Sequence, residues 1–146
     1  MATSIPQNLD RRTLLSLTPA KYLSGGYREP NGKARPELRS IFATAAATQL
    51  EVTETSPQEL GATLEALRQV LPLHEGLAPE RIATAAEEAL LTVGSMYKLE
   101  SNNPGIVDFL KQCTAAVAAE DDIPVLLDHF QAVVRQYAIF VAVGNG

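Results

Sequence analysis

The stretch from residue 123 to residue 143 constrains the fold most. Within it only Asp128, His129, Gln131, Arg135 and Gln136 are strongly polar, and beyond Gln136 nothing is. Ile123, Leu126, Phe130, Val133, Tyr137 and Phe140 recur about every 3.5 residues, the period of a helix packed along one seam. A helix apolar on nearly all sides must be buried on most of them. In a chain of 146 residues, room for one domain, it is either the central helix or half of a dimer contact, and the central helix is the expectation. Its last turns, residues 138–143, are expected to run on into an intersubunit contact, where two-fold pairing buries the same patch on both copies.

The rest of the chain reads as helices to surround it. Alanine and leucine together number 40 against 16 for valine and isoleucine, a balance that favours helix over strand. Ser56-Pro57-Gln58-Glu59 is a capping box with proline at the first helical position. The Ser56 hydroxyl can accept from the amide of residue 59, and Glu59 can reach back to the serine amide. Leu60, Leu64, Leu67 and Leu71 form the stripe behind it, and Pro72 ends it. Pro79 opens a helix with Ile82, Ala85, Ala89, Val93 and Met96 on one side, and Asn103-Pro104 opens one with Ile106, Leu110, Cys113 and Val117. Asp121 and Asp122 lead into the last helix, which Gly144 is placed to stop. An earlier helix is expected from Arg35-Pro36-Glu37 through Ile41, Phe42 and a run of alanines small enough to let a neighbouring backbone approach. The expectation is an all-α fold, a compact bundle of about five helices, preceded by an extended N-terminal arm with one short helix.

The arm, residues 1–35, differs from the acidic body, residues 36–146. Thr18-Pro19 starts a short helix that carries Tyr22 and Leu23 and stops at Ser24-Gly25-Gly26; residues 27–35 are a loop-forming mixture. Residues 1–40 hold seven basic and three acidic side chains, a balance of +4, while residues 41–146 hold five and fourteen, a balance of −9. Such an arm either wraps its own body or orders on a neighbouring subunit or partner. On the second reading the partner-binding residues are Arg11, Arg12, Leu14, Leu15, Leu17 and Lys21, continued by Tyr22, Leu23, Tyr27 and Arg28. Tyr137, Phe140 and Val141 would add a contact from the last helix.

Chemistry finds little purchase. His74 and His129 each lack a second histidine at helical spacing, His74-Glu75 is not followed by the histidine of a zinc protease, and no Glu-x-x-His occurs. His129 is expected at the surface or partly buried. Ser95-Met96-Tyr97-Lys98 matches Ser-x-x-Lys without its companion motifs, and no Gly-x-Ser-x-Gly elbow occurs. Cys113, the lone cysteine, lies on an apolar stripe and reads as a small hydrophobe that leaves no internal disulfide possible. Gly25-Gly26 lacks the frame of a phosphate loop and reads as a helix stop with positive φ. The carboxylates Glu87-Glu88 and Glu120-Asp121-Asp122 read as a solvated face and a helix start. No metal or cofactor is expected. An acidic body with no tryptophan and 5% aromatics argues against nucleic acid. No apolar run approaches the ~20 residues of a membrane span, and the first ten residues lack the core of a secretory signal.

The expectation is therefore a cytoplasmic, non-enzymatic protein–protein interaction or assembly factor, whose partner is another protein or a second copy of itself. The alternative is a small-molecule or pigment-binding helical bundle.

Overall fold

The computed structural model describes residues 10–70, 79–96, 98, 103–117 and 121–145. Leu71, Pro72, His74 and Glu120, together with the side chains of Ile82, Ala85, Glu87 and Ala89, lie outside what is described. Seven α-helices and one 3-10 turn occur among the described residues, with no strand; Arg28 and Ala34 form an isolated antiparallel bridge. The helices are α1 (Arg11–Ser16), α2 (Pro19–Tyr22), α3 (Ile41–Val52), α4 (Pro57–Val70), α5 (Pro79–Met96), α6 (Pro104–Thr114) and α7 (Asp122–Asn145). The 3-10 turn, Pro36–Arg39, precedes α3.

The last helix is central, as its pattern requires. Leu126, Phe130 and Val133 are fully buried and Ile123 and Tyr137 nearly so, while Phe140 packs half-buried against the same core. Its most extensive neighbour is α3, followed by α4. Ala43, Ala45, Ala46 and Ala47 are all buried, and side chains this small let the neighbours of α3 pack close to its backbone. Helix α6 packs on α2, α3 and α5, with Ile106, Leu110 and Cys113 buried as one stripe; Val117, expected on the same stripe, is buried beyond the helix's end at Thr114. The result is a compact all-α fold. Met96 departs from its expected stripe, lying 65% exposed at the end of α5. Gly144 does not end α7, which runs on to Asn145.

The helix expected to run unbroken from residue 35 is interrupted at Ser40, where φ −121° and ψ −93° leave the helical region. The Leu38 carbonyl, which a continuous helix would give to the amide of residue 42, accepts instead from Nδ1 of His129 at 2.7 Å. A tertiary hydrogen bond thus replaces a helical one, and Leu38 turns inward.

The capping box at Ser56 forms by half. The Glu59 amide donates to Ser56 Oγ at 3.3 Å, but the Ser56 amide donates to Asn103 Oδ1 at 2.8 Å. Glu59 receives the Asn103 side-chain amide instead of reaching back. Asn103, buried ahead of α6, thereby ties the start of one helix to the start of another.

Helix α1 has no counterpart in the sequence reading. Asp10 caps it by accepting from the Thr13 amide at 2.8 Å, and these bonds hold the Asp10 carboxyl below its ordinary range. Helix α2 ends at Tyr22 with Leu23 as its cap, ahead of the glycine pair expected to stop it; Gly26, at φ +86°, instead sits in the turn that follows, and Gly32 at the same φ closes the small loop bridged by Arg28 and Ala34.

Candidate functional site

Residues 10–35 lie against the chain's own body at many points. Tyr22, Leu23 and Tyr27 share one continuous core with α3, α4, α6 and α7. The Tyr22 ring stacks on Phe42 at 4.4 Å between centroids and 9° between planes. Its hydroxyl lies 2.7 Å from Nε2 of His129. Since Nδ1 faces a carbonyl, it must carry the proton, so Nε2 accepts and the Tyr22 hydroxyl donates. His129 is fully buried, against the expectation of a surface or partly buried side chain. Burial holds its imidazole down to about 4, opposed by the Leu38 carbonyl and the Asp128 charge.

Other bonds fasten the same segment. The Tyr27 hydroxyl donates to the Cys113 carbonyl, and Gln49 Nε2 donates to the Leu17 carbonyl at 2.8 Å. The Ala20 amide donates to Gln112 Oε1 at 2.9 Å. Arg35 donates to the carbonyls of Tyr22 and Gly26, with its guanidinium 5.2 Å above the Phe42 ring centroid. Burial raises the Tyr22 and Tyr27 hydroxyls and the Cys113 thiol above their ordinary ranges, which removes Cys113 as a nucleophile in the folded protein.

Much of the segment's positive charge is engaged at home. Arg11 pairs with Glu51 at 3.2 Å and Arg28 with Asp122 at 3.0 Å. Arg39 grips both oxygens of Asp128, at 2.5 and 2.7 Å, which raises the Arg39 guanidinium further. Arg12 and Lys21 project into solvent with no ion pair among the described residues.

The residues proposed from sequence as a docking set therefore separate. Leu14, Tyr22, Leu23, Tyr27 and Tyr137 are buried inside the chain. Fully burying one such side chain contributes about 1.5–3 kcal/mol, so freeing Tyr22, Leu23 and Tyr27 together costs on the order of 5–9 kcal/mol. That rivals the whole stability of a domain, roughly 5–15 kcal/mol, so these side chains meet a partner only if the fold gives way. Leu15, Leu17, Arg28, Phe140 and Val141 are half-buried; Arg11, Arg12 and Lys21 are exposed.

Exposed apolar surface lies within the last turns, residues 138–143, but not on Tyr137, Phe140 or Val141, which are buried or half-buried. On α7 the outward positions of the last turns are Ala138, Ile139 and Ala142, with Ile139 54% exposed. Earlier turns of the same face carry Pro124, Asp128, Gln131, Ala132 and Arg135. Arg135 makes no ion pair among the described residues. Beside this face runs an open groove of about 540 Å³, walled by Arg39 and Asp128 at one end and Ile139 at the other. The signal was available in the phase of the helix. If Ile123, Leu126, Phe130, Val133 and Tyr137 face inward, then positions 128, 131, 135, 138, 139 and 142 face out.

A second concavity, of about 200 Å³, lies between α1, α3 and α6, lined by Leu15, Ala46, Leu50, Val52, Asp108 and Phe109 among others. No group of three or more potential metal-ligating side chains occurs among the described residues. None of the described helices is long and apolar enough to cross a membrane. Comparison with protein families, with curated proteins and with solved structures finds no match.

Proposed function

We propose that this chain is a non-enzymatic protein–protein interaction or assembly factor. Its bundle, α3–α7, is clasped by its own basic arm and presents the outer face of α7 to another protein. The observation that carries this reading is the exposed Ile139, flanked by Ala138 and Ala142 and one turn beyond Arg135, which has no ion pair among the described residues. Apolar side chains grouped beside an unengaged charge on a helix otherwise committed to the core are what a contact surface requires. From the arm, Arg12 and Lys21 are open to a partner, with Leu15 and Leu17 partly so.

The test uses Ile139→Asp and Arg135→Glu in the full chain. Both positions are exposed, so helical content and thermal midpoint stay close to wild type. Association, read by sedimentation and by capture of a partner from the cell of origin, is lost in both. Unchanged association in both variants overturns the reading.

The small-molecule alternative draws on the apolar concavity beside Leu15 and Phe109. Its size decides against a pigment, because ligand sites usually enclose about 300–1,000 Å³. A space this small takes a side chain or a fragment. Thermal stabilisation of the chain by a small apolar compound, abolished by Ala46→Leu, would favour the alternative.

A further inference from the structure

We infer that the occupant of the α7 face is a second copy of this chain, its α7 running antiparallel about a two-fold axis between Gln131 and Ala132. The inference rests on the reading of that face as a contact surface and identifies its partner.

The argument is one of charge and register. An axis at that point sets Asp128 against Arg135 of the second copy, Pro124 against Ile139, and Gln131 against Ala132. Each pair occurs twice by symmetry. A carboxylate meets a guanidinium, an exposed apolar side chain meets another, and at the centre a small residue lets the two backbones draw close. Other registers fail on charge. Parallel pairing lays Arg135 on Arg135 and Asp128 on Asp128. An antiparallel axis one turn further along, beside Arg135, brings the two guanidiniums together.

Asp128 is already held by Arg39 through both oxygens. Each carboxylate oxygen keeps a second lone pair, so the arriving Arg135 can bind the side that Arg39 leaves open. The groove between Arg39 and α7 gives that long side chain its approach. With much of the face polar, the pairing is of the reversible, salt-sensitive kind.

Sedimentation of the full chain across a concentration range tests the proposal. The expected result is a monomer–dimer equilibrium that weakens as salt is raised and is lost in Arg135→Asp. Gln131→Cys should cross-link into a disulfide dimer under mild oxidation. Gln136→Cys, displaced from its own symmetry mate along the helix by about 13 Å, should not. A wild-type chain that stays monomeric at every concentration overturns self-pairing. If a different protein is then retained through Ile139, the surface reading survives without it; if none is, both fail. A dimer that persists in Arg135→Asp and leaves Gln131→Cys uncross-linked overturns the register.

Discussion

The Tyr22 hydroxyl donates to Nε2 of His129 at 2.7 Å, joining two residues 107 positions apart inside a site closed to water. The bond fixes the neutral tautomer of the imidazole and ties the arm to the central helix. Tyr22→Phe keeps the stacked ring but leaves a buried acceptor without a donor, at a cost of about 1–3 kcal/mol. Urea unfolding of the variant checks this, and a midpoint equal to wild type would refute the bond.

Acid should weaken the protein through the same histidine. The folded imidazole titrates near 4 against an ordinary 6.5, so between those values the unfolded chain binds a proton that the folded chain refuses. The His129 contribution is complete above pH 6.5 and falls as pH drops toward 4, by about 3 kcal/mol in all. Denaturant midpoints measured across that range should decline with acidity. His129→Gln offers a donor and an acceptor that do not titrate, and should flatten the decline.

Gly105 is required by the crossing of α6 over the end of α3. A methyl group there would overlap the Thr53 side chain, whose hydroxyl is engaged with the Leu50 carbonyl and with Thr55. Gly105→Ala should lower stability by about 1–3 kcal/mol, the usual cost of overpacking, despite alanine's better helix propensity. A thermal midpoint at or above wild type would show that Thr53 moves aside freely.

Glu54 stands at φ +54° just beyond α3, where the Thr55 amide returns to the Leu50 carbonyl at 3.1 Å. Side chains other than glycine are strained in that left-handed position. Glu54→Gly should stabilise the protein by about 0.5–1 kcal/mol, partly offset by the greater freedom of glycine in the unfolded chain. Calorimetry decides the sign.

The all-α class and the core stripes could be read in the sequence because they rest on period. Leu60, Leu64 and Leu67, Ile106, Leu110 and Cys113, and Leu126, Phe130 and Val133 all face inward as spaced. Local pattern gives way where a distant partner overrides a local preference. His129 and Asn103 take up backbone groups that the local pattern assigns to a helix or a cap. Helix α1 is too short to show a period, and its one local signal is Asp10, three residues ahead of Thr13, an ordinary start signal. On α7 the expected contact over residues 138–143 includes the exposed Ala138, Ile139 and Ala142, but Tyr137 and Phe140 belong to the core phase of the helix, and one phase cannot serve both.

Because Tyr22, Leu23 and Tyr27 fill the space between α3, α6 and α7, the bundle has no finished shape without its leader. A version begun at residue 36 would present an open trough lined by Phe42, Phe109 and Cys113. It would clump before it could report on anything that the leader touches. Any separation of roles between the two ends of this chain must therefore be made by single surface replacements, never by scissors.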